Sequence, residues 1–344
     1  MQEKDIPAFL VTHRPNVFYL SGFTGTSGFL LVTLKEALLF TDFRYLQQAG
    51  AQAIGFEIIK VGSPAGYFGV AEQLASRGLK KLALEESHLN LREYNMLKEA
   101  VPDVELLPVY NFLEELRAVK DEQEVELIAR ACHVADEAWR DLLPQIKPGM
   151  SELEVAYELE YRLRKRGSEK LPFDIIVASG KRSALPHGVA SAKIIKEKEL
   201  VTVDFGATYG GYCSDMTRTF ILGKPSEKQL EIYNLVLEAQ KIAFGLVEAG
   251  QRCAGVDAAV RQYFQKYGYD SYFGHGLGHG VGLEVHELPT LSPKGQGVLR
   301  EMMVFSIEPG IYIEKWGGVR IEDLVVLHPD GLQILTKSSK VFEL

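Results

Sequence analysis

Residues 274–287 read GHGLGHGVGLEVHE. Glycine occupies every second position from Gly274 to Gly282, and three of the chain's eight histidines, His275, His279 and His286, fall in this stretch. In an extended segment side chains alternate with period two. His275, Leu277, His279 and Val281 then point one way and the glycines the other. A face of glycines permits close approach of another backbone layer. If the stretch is extended, it presents imidazoles on one face and packs flat on the other.

The partners for those imidazoles are acids set in apolar runs. Asp204 follows Val201, Thr202 and Val203 and precedes Phe205; Asp215 stands in CSDMTRTF, Glu308 in VFSIEPGIYI and Glu322 in VRIEDLVV. A lone carboxylate buried in such a setting costs several kcal/mol unless it is paired or binds a metal. Any one of them alone reads as a strand-end salt bridge or a turn residue. Four of them beside a histidine cluster do not. Asp204 and Asp215 flank GATYGGY, a strand, a Gly-rich turn and a returning strand, so their carboxylates can meet across a hairpin. Arg320 and Glu322 are expected on one strand face, either as an internal ion pair or as a Glu ligand supported by an arginine.

Several other chemistries are excluded. G-x-G-x-x-G fails in every register of the histidine stretch, and H-E-x-x-H fails because Thr290 stands where the second His is needed. Neither G-x-S-x-G nor a Walker A motif occurs. Four carboxylates and at least one imidazole form a hard, oxygen-rich set. Such a set suits two divalent ions sharing carboxylates better than a structural zinc closed by Cys and His. A two-metal site holds a bridging water, lowers its pKa and polarises a carbonyl, which is the chemistry of hydrolysis.

Working outward, 344 residues suffice for two domains. Up to about residue 109 short apolar runs (AFLVT, FLLVT, EALLFT, FEIIKV, KLALE) alternate with helical patterns such as residues 45–54 and 71–77, which predicts an α/β domain. From residue 111 a long charged stretch of helical period follows, with Asp121 and Glu124 resembling a helix start. Ser151 and Gly167 bracket a second helix, and two more fit residues 227–247 and 255–267. The boundary is placed near residue 115, giving domains 1–115 and 116–344. A net charge of −8 speaks against nucleic acid or an anionic membrane as partner. The uncharged run 15–34 is too rich in Gly, Ser, Thr and Asn to span a bilayer. The charged start lacks a signal-peptide core, and Cys132, Cys213 and Cys253 are odd in number without C-x-x-C, so the protein is expected to be cytoplasmic with reduced thiols. Cys213, two positions before Asp215, reads as a small buried side chain. His88, His133 and His328 lie apart from the motifs.

Taken in order, LPHG, VDFGATYGGYCSDMTRTF, GHGLGHGVGLEVHE, SIEPGIY and GGVRIED resemble the pita-bread metallopeptidase family, which includes methionine aminopeptidase, aminopeptidase P and prolidase. NVFYLSGFTGTSGFLLV and LLFTDFRY are similar to the leading domain of prolidase, aminopeptidase P and creatinase. The resemblance implies an α+β pita-bread domain behind a smaller α/β creatinase-type domain, and an Xaa-Pro peptidase. It implies Asp204, Asp215, His279, Glu308 and Glu322 as ligands of two divalent ions, with Asp215 and Glu322 bridging. Mn²⁺ is expected, with Co²⁺, Zn²⁺ and Fe²⁺ compatible. Glu308 is the implied proton shuttle, His187 and His286 the implied substrate contacts, His275 a supporting residue or outer substrate contact, and Arg320 the support of Glu322. The substrate is expected to be a peptide with proline second, and the protein a homodimer. Prolidase-like sequences often carry Arg where this chain has Thr290. An Arg there would pair with a dipeptide's carboxylate, so a dipeptidase needs another cation, such as Arg44 or His13 of a neighbouring subunit. Aminopeptidase P is the alternative, and a non-catalytic peptide-binding module on the same fold is a third.

Overall fold

The apolar runs of the first hundred residues form a six-stranded sheet in the computed structural model, which describes residues 1–2, 5–62 and 67–344. The sheet runs in the order Glu57–Lys60, Ala37–Thr41, Phe29–Thr33, Ala8–Val11, Lys81–Glu85, Glu105–Val109. Ala8–Val11 pairs antiparallel with Phe29–Thr33 and parallel with Lys81–Glu85. Neighbouring side chains divide between two cores: Leu10 and Leu31 pack on one face, Phe9, Val11 and Leu30 on the other. A sheet buried on both sides explains why these strands read as unbroken apolar runs rather than as alternation. The helix Leu91–Ala100 starts at a reciprocal cap in which Asn90 and Glu93 satisfy each other's backbone amides.

The chain divides into two units, Met1–Leu116 and Arg117–Leu344. The long helical pattern after residue 111 is not one helix. Glu114–Ala118 ends, Val119 bridges to Met303, the Lys120 amide donates to the Met302 carbonyl, and Asp121 caps a new helix, Glu122–Leu142. That helix and Glu152–Lys165, capped by Ser151 and Glu154, enclose a core with the sheet Met216–Ile221, Leu200–Phe205, Ile176–Ser179. A second core joins the helices Glu227–Phe244 and Cys253–Lys266 to the antiparallel sheet Glu287–Leu291, Gly278–Gly280, Val304–Ile307, Asp323–His328, Gly331–Ile334. Helices thus cover antiparallel sheets, an α+β arrangement.

The extended reading of the histidine stretch holds only in part, and one expectation about strands is corrected. Within residues 274–287 only Gly278–Gly280 is strand before Glu287; the flanks bend. The acids mostly stand in gaps between strands rather than within them. Ser214 and Asp215 separate Tyr212–Cys213 from Met216–Ile221. Glu308 and Pro309 separate Val304–Ile307 from Gly310–Ile313. Ile321 and Glu322 separate Gly317–Arg320 from Asp323–His328. At each gap the chain leaves one sheet and joins another. The peptide groups freed there find remote partners: the Glu308 amide donates to the Leu277 carbonyl (2.8 Å), and that of Glu322 to the Thr217 carbonyl (3.2 Å).

Candidate active site

The glycine face of Gly278–Gly280 is occupied as the sequence suggests. A Cβ on Gly278 would stand 2.0 Å from the Ser306 carbonyl oxygen, and one on Gly280 2.0 Å from that of Leu288. Backbone fills the space on that side, so His279 projects from a strand that cannot shift. Its amide donates to Ser306 Oγ (3.1 Å). The His279 Nδ1 lies 3.1 Å from the Gly280 carbonyl, which only accepts, so Nδ1 carries the proton and Nε2 presents a lone pair. That lone pair faces Asp215 Oδ2 at 3.6 Å and Glu308 Oε1 at 3.3 Å.

His187, Asp204, Asp215, His275, His279, His286, Glu308, Arg320 and Glu322, drawn from five separate motifs, all line one cavity of about 410 Å³. Asp215, His279 and Glu322 offer ligand atoms within 4.8 Å of one another. Burial, with repulsion from Glu322, Asp204 and Glu308, pushes the Asp215 carboxyl well above the usual range. Burial likewise raises Glu308, and burial with repulsion from Glu308 and Asp204 raises Glu322. Asp204 Oδ1 and Glu322 Oε1 are buried without a hydrogen-bond donor. Hard anionic oxygens left unsatisfied, facing one another and an imidazole lone pair, are the donor set of divalent cations. The residues therefore fit a metal centre.

Arg320 is the fixed cation of the site, buried, and its partner differs from the expected one. Nη2 donates to Asp204 Oδ2 (2.6 Å), and Nη1 donates to the Pro186 carbonyl (3.1 Å) and to the Tyr312 hydroxyl (2.8 Å). Arg320 reaches Glu322 only through Thr217: Nε donates to Thr217 Oγ1 (3.0 Å), which donates to Glu322 Oε2 (2.7 Å). Since Arg320 and Glu322 do not share a continuous strand, the period-two argument does not join them. Tyr312 extends the chain to His275. His275 Nδ1 lies 2.7 Å from the Gly276 carbonyl, so its Nε2 accepts from Tyr312 (2.9 Å). Thr217, Ser306 and Tyr312 were not singled out in the sequence. Their signal is weak, a polar residue inside an apolar strand.

Burial favours the neutral form of three of the cavity's histidines. Desolvation lowers His275 and His279. His286 is brought down to about 4, by desolvation first and then by the neighbouring His279 and His187. The rings of His279 and His286 lie 4.3 Å apart. Phe173, Ile176, Val189 and Val285 give the cavity an apolar wall, and Thr290 stands on its rim. Cys213 is buried, with its thiol pushed up to about 11 by desolvation. His133 lies in a different groove of about 640 Å³, beside Trp139 and Lys337, which holds none of the converging residues. In the first unit, Arg44 is already engaged: Nε and Nη2 donate to both oxygens of Asp42, at 2.9 and 2.7 Å. His13 stacks on His88 at 3.5 Å.

Residues 126–329 match the model of metallopeptidase family M24, and residues 1–119 that of the creatinase/prolidase N-terminal domain. The Xaa-Pro dipeptidase of Pyrococcus horikoshii is 42% identical over 99% of this chain and 95% of its own. The solved Xaa-Pro dipeptidase from Bacillus anthracis superimposes with a TM-score of 0.96 at 45% identity, covering 100% of this chain and 96% of that one. An X-Pro aminopeptidase from Thermotoga maritima superimposes at 0.92 with 39% identity, covering 98% of each. With its donor-lined cavity in a pita-bread domain preceded by a creatinase-type domain, the chain belongs to metallopeptidase family M24.

Proposed function

We propose that this protein is a cytoplasmic, homodimeric Xaa-Pro dipeptidase that cleaves the bond before proline with two divalent ions, Mn²⁺ foremost. The observation that carries the reading is the meeting of Asp204, Asp215, His279, Glu308 and Glu322 in one cavity with too many negative charges for one arginine. These five residues would hold the ions, with Asp215 and Glu322 shared. When bound, the ions supply an acidified water and a polarised carbonyl.

The chain's own residues perform the rest. Glu308, which lines the cavity beside His279, would accept a proton at its free carboxylate oxygen and return it to the leaving nitrogen. His286 is neutral at pH 7, so it stabilises a developing oxyanion as an N–H donor without carrying charge, and His187 acts beside it. Arg320 fixes Asp204 and, through the Pro186 carbonyl, the backbone next to His187. The Tyr312–His275 link is a brace, because both His275 nitrogens are committed. Proline brings no amide N–H to a scissile bond on its amino side. The apolar wall of Phe173, Ile176, Val189 and Val285 accepts a side chain without demanding that hydrogen bond.

Aminopeptidase P is the second reading, and Thr290 favours it, because it supplies no cation for a dipeptide's carboxylate. Arg44 of a second copy could do so only while also paired with Asp42. Comparing Ala-Pro with Ala-Pro-Ala after metal reconstitution tests the assignment. A dipeptidase cleaves Ala-Pro well ahead, by about 10–100-fold if a charge-assisted pair reads the carboxylate. Faster cleavage of the tripeptide makes the enzyme an aminopeptidase P. Arg44→Ala should narrow the gap, and an unchanged gap removes Arg44 from the account.

A further inference from the structure

Among the described residues no hydrogen bond holds the His286 imidazole. Its ring is exposed on the cavity side, at the end of bends that run from Gly282 to His286. Something behind those bends must set its direction. The next residue, Glu287, turns the opposite way and is nearly buried, with a side chain 5% exposed. Its Oε1 accepts from the Glu284 amide (3.0 Å), which closes the loop on itself. A Cβ on Gly282 would stand 2.5 Å from Glu287 Oε2, so the carboxylate occupies the room that glycine leaves.

Two cations grip this carboxylate from below. Arg117 Nη2 donates to Glu287 Oε1 and also to Glu284 Oε2 (2.8 Å), and Lys120 Nζ lies 3.2 Å from Glu287 Oε2. Both are buried, Arg117 at 2% and Lys120 at 1% side-chain exposure. Arg117, Lys120, Glu284 and Glu287 together form a cluster of ions. Such a cluster is poor evidence of added stability, because packed apolar side chains of similar volume often serve as well or better. What ions offer in exchange for their desolvation is fixed geometry. Here the geometry is that of the loop carrying Val285 and His286.

We infer that Glu287, held by Arg117 and Lys120, is a positioning residue that aims His286 at the scissile carbonyl. The inference rests on the proposed role of His286. Displacement of a catalytic group by about 1 Å can cost about 100-fold in rate. Glu287→Gln keeps the shape but weakens the grip, and should lower kcat by about 10–100-fold with KM and metal content little changed. A merely structural role predicts otherwise in a double-mutant cycle. If Glu287 acts through His286, Glu287→Gln costs almost nothing further in a His286→Ala background. Equal losses in both backgrounds overturn the clamp and leave the His286 role standing. Full activity in His286→Ala overturns that role and the clamp with it. Lys120→Met, which keeps the Arg117 pair, supplies the same cycle should Glu287→Gln fail to fold, and Lys120→Arg should restore most of the rate.

Discussion

Stripping divalent ions from the protein should invert the way its stability depends on pH. Asp204, Asp215, Glu308 and Glu322 share the cavity with one buried guanidinium, Arg320, which leaves three negative charges uncompensated when all are ionised. Burial and mutual repulsion raise Asp215, Glu308 and Glu322 above the usual carboxylate range. The unfolded chain has lost its carboxyl protons by about pH 5. Above that pH the carboxyls of the metal-free folded state still retain protons that the unfolded carboxyls have lost, so their contribution to stability falls as pH rises through the raised values. Each retained proton costs about 1.4 kcal/mol per pH unit. The three groups titrate together, so the slope belongs to the cluster, at about 1.4 kcal/mol per pH unit for each proton it retains. For a unit the size of Arg117–Leu344 this is roughly 3–6 °C in Tm per pH unit for each proton. Both tryptophans, Trp139 and Trp316, belong to that unit, so their fluorescence on heating reports its unfolding alone. His275, His279 and His286, held neutral by burial, oppose this below about pH 6.5, where the unfolded chain takes up protons that the folded one refuses. The window that isolates the carboxyls is about pH 7 to pH 8. There, in chelator, Tm should fall with rising pH, and with saturating metal it should not, because protons then compete with the ions. A chelated protein whose Tm is flat or rising across that window refutes the reasoning.

Three further outcomes are expected. Asp215→Asn removes a shared anion and should abolish most bound metal, measured by elemental analysis, together with activity. His286→Ala should keep its metal and lose about 10²–10³ in kcat, the usual cost of one oxyanion donor; a parallel loss of metal would make His286 a ligand. Gly280→Ala places a methyl group 2.0 Å from the Leu288 carbonyl oxygen, so thermal melts should show destabilisation at or beyond the upper end of about 1–3 kcal/mol. An unperturbed melt would mean that the strand can move.

What the sequence discloses and what it conceals divide along a physical line. The residues that bear chemistry were legible because each is improbable where it stands: an acid among β-branched residues, or imidazoles alternating with glycine. The Ser151 and Asp121 caps were legible because capping is local, complete within four residues. The gaps at residues 214–215, 308–309 and 321–322 were not. A strand that leaves one sheet for another keeps its apolar character on both sides, so periodicity runs through the break. Partnership was hidden as well. Arg320 lies two positions from Glu322 yet meets Asp204, 116 residues away, and Arg117 meets Glu287 at a separation of 170. A local pattern states that a charge needs a partner, and only the packed fold decides which one it finds.

The donors of the cavity are dispersed between residues 204 and 322, and each owes its place to strands that pair across that interval. On the ribosome the unit Met1–Leu116 is synthesised first and has its own core, so it can fold early. The carboxylates of Asp204 and Asp215 then emerge long before His279, Glu308 and Glu322 are available to face them. Assembly of the centre therefore waits for contacts of long sequence separation, which form late. A chain that stops short of Glu322 lacks part of the proposed donor set. On the proposed reading, activity requires the chain to be made at least as far as Glu322 and its strands to be paired.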